Sequence, residues 1–177
     1  MNKPFIVILS GPPAAGKNTI AGYVCRHFPK TLAEIDLDKV KGFVEGDPRT
    51  DFFLDLAAEI SRSMTRIYLR ANISVVIYNA FCNYDFVRPF IAIADEMQVP
   101  SWYFKLTAPL DELLKRNRAR INPSEESEVK RIYTLDQDRT HPEGIAIDTM
   151  KYDVDDAAKL ILRTVSEHKP TCDRHEE

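Results

Sequence analysis

Short apolar runs alternate along this chain with longer segments whose apolar residues recur every three or four positions. Phe5 to Leu9 is the first run, and Thr31 to Ile35, ending in Asp36-Leu37-Asp38, is the second. Ile73 to Ile77 is β-branched and reads as a central buried strand. Trp102 to Leu106 and Gly144 to Ile147 complete a set of five expected strands. Between them the spacing turns helical. Ile20, Val24 and Phe28 share a face, with Ala21 and Cys25 on its flank. A small helix is expected over Asp38 to Val44, then a turn at Gly46-Asp47-Pro48. A long helix from Thr50 to Ala71 carries Phe53, Leu56, Ile60, Met64 and Ile67 on one side. Another covers Asp85 to Met97. Pro109 opens the next, with Asp111 and Glu112 at its start and Lys115, Arg116, Arg118 and Arg120 toward its end, as the helix dipole favours. The polar stretch Asn122 to Ser127 interrupts before a short helix over Glu128 to Leu135. Asp153 caps a last helix with Val154, Ala157, Ile161 and Val165 inward.

Strands thus alternate with helices, and no repeat or linker divides them. The pattern predicts one three-layer α/β domain over residues 1–167 with a parallel five-stranded sheet, and a frayed polar tail over 168–177.

The 177 residues suffice for one well-cored domain. A net charge of −3, with no basic stripe, makes nucleic acid an unexpected partner. Cys25, Cys82 and Cys172 are odd in number and lack metal-binding spacing, which suits reduced thiols in a cytoplasmic protein. The opening Met1-Asn2-Lys3 and the apolar run behind it imitate a signal peptide, but the run is too short. No segment is long enough to span a membrane, so no membrane association is expected.

Directly behind the first strand stands Gly11-Pro12-Pro13-Ala14-Ala15-Gly16-Lys17-Asn18-Thr19. Its G-x-x-x-x-G-K spacing is that of a phosphate-binding P-loop, the Walker A pattern. Gly11 and Gly16 let the chain curl so that backbone N–H groups converge on one anion. Lys17 adds a point charge for the outer phosphates, and the positive end of the following helix completes the cradle. A strand before and an amphipathic helix after supply the context the motif needs. Gly11, Pro12, Ala14, Ala15, Gly16, Lys17, Asn18 and Thr19 are therefore expected to hold a nucleoside triphosphate.

Asp36 and Asp38 close the second strand, at the sheet edge where open α/β folds bind ligands. Transfer of a phosphoryl group to a hydroxyl needs an acceptor for the leaving proton. Asp38 is the expected base and Asp36 lies nearer a metal and its waters; the alternative is that Asp38 only caps the helix that follows it. Arg116 and Arg120 stand one helical turn apart, and Arg131 lies beyond the polar interruption. A polar segment bracketed by arginines suits a lid that brings positive charge to the transferring group when it closes. A solvated helix end would explain the same charges without function. Arg49, Arg88, Asn79, Asn83 and Tyr84 lie near the ligand edge as weaker candidates, His141 reads as a loop residue and Trp102 as core. Asp148 and Thr149 read as a turn near the nucleotide base.

Taken together these pieces resemble the small P-loop kinases related to zeta toxins, chloramphenicol phosphotransferase, gluconate and shikimate kinases, and the kinase domain of polynucleotide 5′-kinases. The resemblance runs from Phe5 to about Val165. It rests on the P-loop, Ile35-Asp36-Leu37-Asp38, the Val75-Val76-Ile77 strand, Ala108-Pro109-Leu110-Asp111-Glu112-Leu113 through Arg116 and Arg120, and Ile147-Asp148-Thr149. It implies a sheet of order 2-3-1-4-5, a helical lid over about 116–135, ATP as donor, Mg²⁺, a base at Asp38 and lid arginines at Arg116 and Arg120. Two positions depart from the pattern. Asn18 stands where a Ser or Thr hydroxyl would bind Mg²⁺, and Tyr78 where an Asp would orient the metal's waters. Asn18 offers an amide oxygen and Asp36 a carboxylate as the metal-side groups. Thr19 is no substitute, since one residue along a helix turns it ~100° away.

The sequence therefore predicts an ATP-dependent phosphotransferase acting on a hydroxyl of a small molecule, with Lys17, Asp38, Arg120 and Arg116 as its catalytic set. The rivals are a nucleotide-binding module that has lost transfer chemistry and works through a partner, and a kinase of nucleic-acid 5′-hydroxyls. Neither the acceptor nor the oligomeric state is written in the sequence.

Overall fold

A computed structural model gives the structure, described here for residues 3–44, 51–80, 84–137 and 144–167. β1 (Ile6–Ser10) leads through the P-loop into α1 (Lys17–His27), then β2 (Leu32–Asp36), α2 (Leu37–Lys41) and α3 (Asp51–Arg70). β3 (Ser74–Tyr78), α4 (Tyr84–Glu96), β4 (Ser101–Thr107) and α5 (Leu110–Arg118) follow, then α6 (Glu126–Gln137), β5 (Ile145–Asp148) and α7 (Val154–Glu167). The strands form one five-stranded sheet in the order β2-β3-β1-β4-β5, and every pairing is parallel. This is the α/β P-loop NTPase arrangement.

β1 is central, with Ile6 beside Val75 of β3 and Ser101 of β4, and it is buried on both faces. That burial explains its uninterrupted apolar run. One core lies on the side of α1 and α7, where Val7, Leu9, Phe104 and Ile147 meet Ile20, Val24, Ala157 and Ile161. The other joins Ile6, Ile8, Val75 and Ile77 to Ala57 and Leu69 of α3 and to Val87, Phe90 and Ile93 of α4.

α3 turns a different stripe inward from the one its large apolar residues suggest. Ala57, Ala58, Ser61, Thr65 and Leu69 are buried, while Ile67 is 61% exposed. Small side chains let the helix approach its neighbours closely, and Phe53, Leu56, Ile60 and Met64 are left half-buried on its flanks. On α7, Val154 likewise faces solvent while Ala157, Ala158 and Ile161 face the core. Asp153 caps that helix as expected, its Oδ1 accepting from the Asp156 N–H at 2.9 Å. No helix among the described residues is long and apolar enough to cross a membrane.

Candidate functional site

The chain reverses handedness between β1 and α1. Gly11 (φ 140°), Ala14 (φ 65°) and Gly16 (φ 97°) all have positive φ. At Gly11 a side chain is excluded twice, by the backbone angle and by space: a Cβ there would lie 2.4 Å from the Leu106 carbonyl oxygen of β4. The loop thus passes against the neighbouring strand and curls into α1, whose first N–H groups, those of Asn18 and Thr19, have no intrahelical acceptor. Lys17 is buried, its Nζ donating to the carbonyl oxygens of Gly11 (2.8 Å) and Pro12 (2.9 Å). The lysine charge is thereby held inside the curl of the loop, where an anion would meet it.

β2 delivers the two aspartates to the sheet edge by different means. Asp36 ends the strand, is buried, and caps α2 through its Oδ1, which accepts from the Asp38 N–H at 3.0 Å. The capping role that the sequence left open for Asp38 thus belongs to Asp36. Asp38 sits in the first turn of α2, where Oδ1 accepts from Lys41 Nζ (2.9 Å) and from Asn79 Nδ2 (3.3 Å). No described residue donates to its Oδ2. Desolvation by the surrounding cleft raises the Asp38 pKa, but Lys41, Lys17 and the Asn79 amide outweigh it, and the carboxyl stays below its ordinary value. The side chain is nevertheless 71% exposed, because the space it faces is open to water.

The groups on the expected metal side are engaged with one another. Asn18 Nδ2 donates to Asp36 Oδ2 at 3.2 Å. Only the NH₂ end of an amide can face an ionised carboxylate oxygen, so this orientation follows from the chemistry of the pair. Both Asp36 oxygens are then occupied, by Asn18 and by the cap. Tyr78, beside Asp36 in the ladder, is buried and donates its hydroxyl to Glu34 Oε1 at 2.7 Å. Burial, that hydrogen bond and the nearby Asp36 raise its pKa far above the ordinary phenol value, so it remains a neutral phenol. Placed this way, the residues do not fit a magnesium ion anchored by protein side chains: a strut between α1 and β2 stands where a hydroxyl and a carboxylate would be needed.

A cavity of about 510 Å³ opens between the P-loop and α6. Pro13, Asp38, Lys41 and Asn79 line its sheet side, Leu54, Ala58 and Phe86 its helical side, and Glu125, Glu128, Arg131 and Ile132 the side of α6. The segment joining α5 to α6 is closed by a reciprocal pair: Asn117 Nδ2 donates to the Ser124 carbonyl (2.7 Å), and the Ser124 N–H donates to Asn117 Oδ1 (3.0 Å). Arg120 lies past the end of α5, on the exposed turn between these two anchors, so Arg116 and Arg120 do not share a helix face. Arg116 is held elsewhere. Its guanidinium donates to Glu112 Oε1 (2.9 Å), Thr149 Oγ1 (2.9 Å) and the Thr149 carbonyl (3.0 Å), on the turn after β5. Arg88 is exposed, 3.9 Å from Asp85, and Trp102 is core.

Two residues matter here that sequence reasoning passed over. Lys41 had a usable signal, three residues after Asp38 on one helix. Asn117 had none, because its partner is set by how the α5–α6 segment folds back. Arg131 binds both oxygens of Glu128 at 2.7 Å. The candidates Arg49, Asn83 and His141, the turn at 46–48, Cys82, Cys172, the side chain of Tyr84 and the tail 168–177 lie outside the described residues.

Solved structures of kinases share this fold. A gluconokinase from Sinorhizobium meliloti 1021 is 15% identical, with 94% of this chain and 96% of that chain covered at a TM-score of 0.69. APS kinase from Mycobacterium tuberculosis, solved with AMPPNP and APS, is 10% identical, with 94% and 100% covered at a TM-score of 0.74. A chain of the Pnkp1/Rnl/Hen1 RNA repair complex is 20% identical at a TM-score of 0.66; 77% of this chain aligns, spanning 45% of that one. At these identities the likeness is one of fold. No curated protein matches the chain. The AAA domain family matches residues 6–143, from the first strand through the P-loop and the α5–α6 segment. The chain therefore belongs to the AAA domain family, and it carries the kinase-like form of the P-loop fold.

Proposed function

We propose that the protein is an ATP-dependent phosphotransferase that moves the γ-phosphate to a hydroxyl of a small-molecule acceptor. The observation that carries this reading is the position of Asp38. It shares the wall of one cavity with Pro13 of the P-loop, one oxygen held by Lys41 and Asn79 and the other left for an incoming hydroxyl. A carboxylate held ionised beside the phosphate loop is placed to accept the acceptor's proton as the new P–O bond forms. The P-loop backbone and Lys17 would hold the donor phosphates and stabilise charge on the transferring group. Arg120, on its exposed turn, is the cation able to swing toward them, and Arg116, fixed on Thr149, would border the donor's base. Magnesium would enter with the nucleotide's own phosphates. The solved structures of a gluconokinase and an APS kinase lend support by fold alone.

The test is calorimetric binding of ATP together with acceptor-dependent ADP release. Lys17→Ala should abolish binding, whereas Asp38→Asn should bind ATP and lose transfer by about a hundredfold or more. Loss of both in Asp38→Asn would make Asp38 structural.

A second reading is favoured by the Asn18–Asp36 strut: a nucleotide-binding module that has given up transfer and acts through a partner protein. Binding without turnover of any acceptor would select it. A nucleic-acid 5′-hydroxyl acceptor is disfavoured by the net charge of −3 and would show itself as salt-sensitive affinity for single strands.

A further inference from the structure

The cavity wall carries a charge pattern that bears on the acceptor. Asp38 is paired with Lys41 at 2.9 Å, and Glu128 with Arg131 at 2.7 Å, so both cations of the described wall already face an acid. Glu125, exposed in the same wall, makes no hydrogen bond or ion pair through its carboxylate among the described residues; only its backbone carbonyl is engaged, accepting from the Glu128 and Val129 N–H groups of α6. An anionic acceptor would meet cations whose charge Asp38 and Glu128 already offset, and would approach this carboxylate as well. A cation would find it waiting. Ser124 and Ser127 also line the side of α6, and Leu54, Ala58, Phe86 and Ile132 add apolar surface to the cavity.

We propose that the acceptor is a small amino alcohol with an apolar face: ammonium against Glu125, apolar body against Leu54, Phe86 and Ile132, hydroxyl toward Asp38 Oδ2. This rests on reading the cavity as the acceptor site. In the transfer the acceptor O–H loses its proton to Asp38, the oxygen bonds the γ-phosphorus, and the bond to the β-phosphate oxygen breaks to release ADP. Glu125 takes no part in these bonds and sets only which alcohol binds.

The test uses a matched set of probes on the whole protein with AMPPNP present. Phenylalaninol is a cationic alcohol, 3-phenylpropan-1-ol a neutral one and 3-phenyllactate an anionic one, all built on the same phenylpropane skeleton. Methyl NMR shifts of Leu54, Ala58 and Ile132 report occupancy of the cavity. AMPPNP-induced shifts around Lys17 report the nucleotide reading separately. Phenylalaninol should bind about fivefold or more tightly than phenyllactate, as expected for exchanging an attractive for a repulsive exposed charge. Glu125→Gln should erase that difference, and Glu125→Lys should reverse it. Equal affinities, a preference for phenyllactate, or no methyl shifts with any probe would overturn the proposal. Absence of AMPPNP shifts would overturn the phosphotransferase reading instead.

Discussion

Asn18 and Asp36 are joined across 3.2 Å, so the first turn of the P-loop helix is tied to the end of β2 by the two side chains expected to face a metal. The amide donates where a hydroxyl would ligate. Nucleotide affinity should therefore depend little on divalent cation, changing by less than about threefold between Mg²⁺ and EDTA, under 1 kcal/mol. Asn18→Thr supplies the hydroxyl and leaves Asp36 Oδ2 to accept from water. In that variant Mg²⁺ should strengthen AMPPNP binding by about tenfold or more, near 1.4 kcal/mol. Calorimetry with and without Mg²⁺ checks both arms. A wild-type protein that already gains tenfold from Mg²⁺ would show that the strut opens when nucleotide binds.

Lys41 should set the acid side of the pH profile. The Asp38 pKa is raised by desolvation but lowered further by Lys41, Lys17 and Asn79, giving a net depression. A base must be ionised to accept a proton, so transfer is lost as pH falls through that depressed pKa and is complete above it. Lys41→Met removes the nearest cation, so the acid limb of kcat/KM should move to higher pH. Lys41→Arg should keep it where it is. A limb that ignores both substitutions would mean that Asp38 is not the titrating group.

Much of the fold was legible because it rests on local pattern: β-branched runs, helical spacing and a G-K loop behind a strand. The α3 face was misread because Phe53, Leu56 and Ile67 outweigh Ala57, Ala58 and Ser61 in any hydrophobic count, whereas packing distance favours the small residues. In the candidate site, the sequence pattern put Lys17 behind β1 and Asp38 just past β2, which is where they lie. It gave Arg116 and Arg120 one helix face, and failed because α5 ends at Arg118. A helix end decided by the Asn117–Ser124 pair leaves no periodic trace.

That pair should also control the lid segment. Asn117 is 1% exposed and uses both ends of its amide on the Ser124 backbone. Asn117→Ala leaves the half-buried N–H and carbonyl of Ser124 without their partners, at a cost of about 1–3 kcal/mol. Denaturant unfolding should show the loss. Limited proteolysis should cut the variant faster between 119 and 125, with ATP affinity unchanged. Equal cleavage of both proteins would place the closure of this segment elsewhere.

The same substitution at two glycines should act with opposite sign. Gly22 lies inside α1, and a Cβ there meets only the flexible end of Arg26, 3.2 Å from its Nη1. Gly22→Ala removes unfolded-state freedom at a helical position and should stabilise by about 0.5–1 kcal/mol. Gly11 holds φ 140° and would set its Cβ 2.4 Å from the Leu106 carbonyl, a backbone atom that cannot step aside without moving β4. Gly11→Ala should cost about 1–3 kcal/mol from overpacking and backbone strain. Because the displaced chain is the P-loop itself, ATP binding should fall with stability in Gly11→Ala, whereas Gly22→Ala should bind ATP as the wild type does. Parallel thermal denaturation and calorimetry on the two variants would separate these outcomes. A Gly11→Ala protein of wild-type stability would show that the loop does not need its close approach to β4.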